Sequence, residues 1–142
     1  MAFVSDAAPP GARYKKPTVE PIEVMVVDDE PDIRFMLRMY LGNLEGFKIT
    51  REAGNGAEAL DQVRIRCPEA VLLDIGMPVM DGIEATWQIR DLCPHTKIII
   101  LSAFTAESLV SEALARGADL YLEKTTPPKE IAAAVERLVR AA

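Results

Sequence analysis

Residues 70–82 read AVLLDIGMPVMDG: four aliphatic residues run into Asp74, a Met-Pro turn follows, and then Asp81-Gly82. A short unbroken apolar run suits a strand covered on both faces. A carboxylate closing that run needs an explanation, because desolvating a charge is costly unless something compensates it.

Working outward, the rhythm repeats. IEVMVV (22–27) reads as a strand, and Ile33, Met36, Leu37, Tyr40, Leu41 and Leu44 then fall on one helical face, with Pro31 in the first turn and Gly46 past the end. FKITREA (47–53) alternates like a strand, and residues 57–66 carry a weaker helical pattern. GIEATWQIRDL (82–92) is a helix opened by Asp81, and KIIIL (97–101) is a second fully apolar strand. Ala106, Leu109, Val110, Ala113 and Leu114 line a helix that stops at Gly117. DLYLE (119–123) is a strand, and Ile131, Val135, Leu138 and Val139 line a last helix. Five strands alternating with five helices predict an α/β fold, a doubly wound five-stranded parallel sheet with helices on both faces. Residues 1–21, with Pro9, Pro10, Pro17 and Pro21 and no periodicity, read as a flexible N-terminal tail before a domain over 22–142.

The chain of 142 residues suits one domain, and its 49% hydrophobic and 27% charged residues are those of an ordinary globular protein. With 22 acidic against 16 basic residues the formal charge is −6, which argues against direct nucleic-acid binding through phosphates. No run is long enough to span a membrane and the N-terminus lacks the pattern of a secretory signal, so a cytoplasmic location is expected. Cys67 and Cys93, far apart and outside C-x-x-C spacing, read as small buried hydrophobes rather than a metal or redox pair. His95, the only histidine, reads as a surface loop residue.

The residues that end the strands explain Asp74. Asp28 and Asp29 follow the first strand, Asp74 the third, Ser102 the fourth and Lys124 the fifth. In a parallel sheet all lie on the carboxyl edge, where open α/β folds bind ligands. A solvent-facing strand end is expected to limit the cost of charging Asp74. Three clustered carboxylates repel and raise one another's pKa unless a cation joins them, and hard oxygen ligands suit Mg²⁺. A phosphoryl group transferred to Asp74 would give an acyl phosphate, with Lys124 and the Ser102 hydroxyl stabilising its oxygens. Taken singly, Asp29 or Glu30 could merely cap the following helix, Ser102 could be a routine loop hydroxyl and Lys124 a solvated lysine. Their joint order at successive strand ends favours a site.

VMVVDDE, VLLDIGMPVMDGIEA, KIIILSA and GADLYLEK resemble the receiver domain of two-component response regulators, and MPVMDGIEAT with KTTPPKEI resembles receivers of LuxR-type regulators in particular. The resemblance runs from about Ile22 to the end. It implies the flavodoxin-like strand order 2-1-3-4-5. It also implies phosphorylation of Asp74 by a sensor histidine kinase, and Mg²⁺ held by Asp28, Asp29, Asp74 and the backbone carbonyl of Gly76. Ser102 and Lys124 would serve the phosphoryl group beside the backbone of Ala103. Ser102 and Tyr121 would form a switch read on the fourth helix, last strand and last helix. Partners would be the kinase, a DNA-binding output domain in a longer parent chain, and a second copy in a phosphorylation-dependent homodimer. The domain itself would bind neither nucleic acid nor membrane and would act as a signalling module rather than an enzyme on other substrates.

Two departures matter. Thr125 follows Lys124 where the family usually has proline, commonly across a cis bond, and a non-proline cis bond costs about 3 kcal/mol. Gly76 stands where relatives often carry a side chain that affects access of water to the acceptor. Alternatives that stay open are a degenerate receiver acting as a phosphorylation-independent scaffold and, less favoured, a small Mg-dependent phosphatase with an Asp nucleophile. The phosphatase reading lacks its second acid two positions after the nucleophile. An FMN binder on the same topology would need a phosphate loop where DDEPD would repel one.

Overall fold

Strands form where apolar residues run without a break. The computed structural model describes residues 20–141, so all but the last two residues of the expected tail lie outside it. The elements are β1 (Ile22–Val27), α1 (Pro31–Gly42), β2 (Phe47–Ala53), α2 (Gly56–Ile65), β3 (Ala70–Leu73), α3 (Gly82–Leu92), β4 (Lys97–Ser102), α4 (Glu107–Ala115), β5 (Leu120–Glu123) and α5 (Pro128–Arg140). All four strand pairings are parallel and the order is β2-β1-β3-β4-β5, as expected.

The pleat sends alternate side chains into two separate cores. Met25, Val27, Val71, Leu73, Ile98 and Ile100 pack beneath α2, α3 and α4. Val24, Val26, Ala70, Leu72, Ile99 and Leu101 pack beneath α1 and α5. The central strands therefore need apolar residues at every position, whereas the edge strand β2 can alternate. Helix starts are set by local chemistry. Asp81 accepts from the backbone N–H groups of Ile83 and Glu84, both at 2.9 Å, and Asn55 accepts from Glu58 N at 2.9 Å. No helix of the described residues is long and apolar enough to cross a membrane.

Glu23 is a charge within β1, only 9% exposed. Burial pushes its pKa up, but the Thr50 hydroxyl, Arg66 and Arg51 outweigh that and hold it below the usual carboxylate range. Arg51 depends on this charge, because its Nε and Nη2 are buried without a hydrogen-bond partner. Glu23→Gln is expected to lower stability at neutral pH by about 2 kcal/mol, measured by denaturant unfolding. A depressed pKa stabilises fully above the ordinary carboxylate value. The gap between wild type and variant should therefore close as pH falls through that value towards the lowered one. A gap that stays constant down to strongly acidic pH would contradict this account.

The two cysteines correct the sequence reading. Cys93 is buried, but Cys67 is exposed, and the two form a disulfide with Cα atoms 5.7 Å apart. The reason lies in the register. Ala70 of β3 pairs with Lys97 of β4, so the loops that precede these strands meet at the amino edge of the sheet. Cys67 and Cys93 are neighbours there despite a sequence separation of 26. His95 lies exposed in the same region, as expected.

Candidate functional site

Backbone ladders continue past the strand ends and fix the expected site residues side by side. Asp28 N donates to Ala53 O at 3.0 Å, Asp74 N to Val27 O at 2.9 Å, and Lys124 N to Ser102 O at 2.9 Å. The carboxyl edge thus brings together Asp28, Asp29, Asp74, Ser102 and Lys124. One carboxylate oxygen from each of Asp28, Asp29 and Asp74 lies within 4.8 Å of the others.

Asp74 is not solvent-facing. It is 4% exposed, Asp28 2% and Ser102 0%, whereas Asp29 is exposed. The first residue of α3 packs on the Asp74 backbone: Gly82 N donates to Ile75 O at 2.9 Å, and a Cβ on Gly82 would fall 2.2 Å from Asp74 O. Burial, and next the Asp28 charge, push the Asp74 carboxyl above its ordinary pKa. Lys124 and the Gly76 N–H, 3.4 Å from Asp74 Oδ1, oppose the rise without cancelling it.

Lys124 is the resident cation. Its Nζ lies 2.9 Å from Asp28 Oδ2, 2.9 Å from Glu30 Oε1 and 3.4 Å from Asp74 Oδ2. Burial pulls its pKa down, but hydrogen bonds to Glu30 and Asp28 and the charges of Asp28 and Asp74 raise it well above the ordinary lysine value. Glu30 occupies the N-cap position of α1 yet makes no side-chain cap; its carboxylate holds Lys124 instead. No peptide bond among the described residues is cis, so Lys124 reaches the site across a trans bond to Thr125.

Phe104 is the site residue that the sequence did not expose. Its N–H donates to Ser102 Oγ at 2.9 Å, and its carbonyl accepts the Tyr121 hydroxyl. Its ring lies over Gly76, where a Cβ would meet Phe104 Cε2 at 2.7 Å. The side chain missing at Gly76 is therefore replaced in space by an aromatic ring from the loop after β4, in which Ala103 is exposed. Beside it a 580 Å³ groove opens between α3 and α4, lined by Ile83, Trp87, Phe104 and Leu109. Val79, in the loop between Asp74 and α3, takes φ +70°, and Met80 N donates to Pro78 O at 2.8 Å around it. A β-branched residue in this tight turn is a local strain.

The donor set fits a hard, oxygen-seeking cation. Three carboxylates converge, the inner two are buried, and one lysine leaves Asp74 with a raised pKa.

This chain belongs to the response regulator receiver domain family, whose profile matches residues 24–136. Among its relatives is the response regulator protein VraR of Staphylococcus aureus, 36% identical over 119 residues. That alignment covers 84% of this chain and 57% of VraR, so the chain spans little more than half the length of that relative. The receiver domain of the putative response regulator NarL from Mycobacterium tuberculosis superposes with a TM-score of 0.82 at 31% identity, covering 87% of this chain and all of that one. A structure described as the CheX-CheY-BeF3-Mg²⁺ complex of Borrelia burgdorferi matches with a TM-score of 0.74 at 29% identity, over 84% and 90% of the two chains.

Proposed function

We propose that this receiver, taken as residues 22–142, accepts a phosphoryl group on Asp74 from a phosphohistidine of a sensor histidine kinase. The observation that carries the reading is the convergence of a buried carboxylate, two further acids, a lysine and a buried hydroxyl at one sheet edge. In the transfer, an Asp74 oxygen bonds to phosphorus while the phosphorus–nitrogen bond to the donor imidazole breaks. Asp28, Asp29 and Asp74, with the Gly76 carbonyl, would hold Mg²⁺, which when bound neutralises charge on the phosphoryl oxygens. The family membership and the Mg²⁺ named in the CheY complex support that ion over others.

The remaining steps belong to side chains. Lys124, drawn off Asp74, pairs with a phosphoryl oxygen while Glu30 keeps it at the site. Ser102 turns its hydroxyl to the same group and gives up Phe104 N; Tyr121 rotates inward and gives up Phe104 O. Phosphorylation then releases Phe104 at both ends and changes the surface of α4, β5 and α5. That surface is read by an output domain, a DNA-binding one in a longer parent chain, or by a second copy. The module works in the cytoplasm and catalyses only its own phosphorylation and dephosphorylation.

The test is intact mass spectrometry after incubation with acetyl phosphate. A single phosphoryl adduct that requires Mg²⁺ is expected. Absence of any adduct with acetyl phosphate and with a phosphorylated kinase would leave only a phosphorylation-independent scaffold. Lys124→Met should slow adduct formation by about a hundredfold, since a preorganised charge facing the transferring group is removed. An unchanged rate would show that Lys124 acts only in the resting pocket.

A further inference from the structure

We propose that Cys67 and Cys93 form a reversible redox site, opened by low-molecular-weight thiols of the glutathione class, whose state sets how firmly the end of α3 and the turn before β3 are held. The inference stands apart from the phosphoryl chemistry. It rests on the bonded pair, on the unequal exposure of the two cysteines and on the cavity beside them. Residues 67–93 comprise β3, Asp74, the strained loop around Val79 and all of α3.

The two cysteines differ in exposure. Cys67 is exposed and Cys93 is 1% exposed, so an external thiolate meets Cys67 first. A 370 Å³ cavity borders both, with Pro68, Pro94 and Thr96 in its wall. Lys97 and Glu69 put one charge of each sign on its wall, so the cavity does not repel a charged thiol such as glutathione.

The exchange balances as follows. A thiolate attacks Cys67 Sγ, the bond between the protein sulfurs breaks, and Cys93 leaves as a thiolate that takes a proton from solvent. A second thiolate attacks the small-molecule sulfur of the mixed disulfide and frees Cys67. In total the protein disulfide gains two electrons and two protons, and two thiols become one small disulfide.

The reduced form retains its supports. Leu92 O lies 3.7 Å from Cys67 Sγ, so the freed thiol has an acceptor that a disulfide sulfur, having no proton, cannot use. Arg90 meanwhile binds the carbonyls of Pro94 at 2.9 Å, Thr96 at 2.7 Å and Gly117 at 2.8 Å, and pairs with Asp119 at 2.7 Å. These contacts keep the end of α3 in place without the covalent link. Reduction should loosen this corner rather than unfold the domain.

The experiment equilibrates the folded chain in mixtures of reduced and oxidised glutathione, then counts free thiols by alkylation and mass spectrometry and follows amide hydrogen exchange. The ratio of dithiol to disulfide should rise tenfold for each tenfold rise in the square of the reduced glutathione concentration divided by the oxidised concentration. Amides near Cys67 and in the last turn of α3 should exchange roughly tenfold faster in the reduced protein. Cys67→Ser, a change at an exposed position, should exchange at the reduced rate in every mixture. Three results would each overturn the proposal: a disulfide that yields to reduced glutathione only after unfolding, two thiols that stay free in excess oxidised glutathione, or exchange rates indifferent to the redox state.

Discussion

Asp74→Asn is expected to abolish the phosphoryl adduct completely and, in metal-free protein, to unfold at a higher temperature than the wild type. The first effect follows from the proposed role of Asp74 as the acceptor of the phosphoryl group. The second follows from electrostatics. Burial and Asp28 raise the Asp74 pKa, so the folded protein holds this proton more tightly than the unfolded chain does. Ionising Asp74 therefore destabilises the fold. The cost is full above the raised value, shrinks as pH falls from it towards the ordinary carboxylate value, and vanishes below that. A neutral amide of the same shape removes the cost, and a gain of about 3 °C corresponds to a change near 1 kcal/mol in a chain of this size. The gain should fade in acid, where the wild type is itself neutral at this position. Adding Mg²⁺ should stabilise the wild type more than the variant, because the proposed ion site exists only in the folded state. Scanning calorimetry across pH, with and without Mg²⁺, reads all of this. A variant less stable than wild type at neutral pH would refute the electrostatic account even if the adduct disappeared.

Gly82→Ala should destabilise the domain by about 3 kcal/mol, at the upper end of what overpacking costs. A Cβ there would lie 2.2 Å from Asp74 O, 2.6 Å from Ile75 Cα and 2.9 Å from Asp74 C. All three are backbone atoms and cannot rotate aside. Either the start of α3 lifts away, breaking the bond from Gly82 N to Ile75 O, or Asp74 itself moves. Both damage the site as well as the fold. Gly42→Ala is the matched control, since a Cβ there meets nothing within 4 Å and the residue is helical. That change should be neutral or slightly stabilising. Thermal unfolding of the two variants decides the matter, and a Gly82→Ala protein as stable as Gly42→Ala would remove the close approach from the explanation.

The architecture was legible because the central strands are buried on both faces. IEVMVV, AVLL and KIIIL can be nothing but interior, and the helices between them carry one apolar face each. The gathering of Asp28, Asp74, Ser102 and Lys124 was legible for a related reason: parallel strands end on one edge wherever they lie in the sequence. What escaped depends on spacing between elements. Pairing of Cys67 with Cys93 follows from the β3–β4 register, which spacing along the chain does not contain. The close seat of α3 on the Asp74 backbone depends on the glycine at position 82. Glu30 could have capped α1, and only the position of Lys124, 94 residues on, decides that it does not. Phe104 gave no periodic signal, because it lies in a loop.

The division of the core has a further consequence. β3 supplies Val71 and Leu73 to one core and Ala70 and Leu72 to the other, and it pairs with neighbours on both sides. No rotation or shift of β3 is free, since any movement that relieves one layer compresses the opposite one. β5, by contrast, is an edge strand whose residues are half-buried or exposed. Local opening is thus easier at β5, which carries Tyr121, than at β3 or β4. Under the proposed phosphorylation, charge added to Asp74 would meet a fixed anvil, and the displacement it drives would appear at the margin.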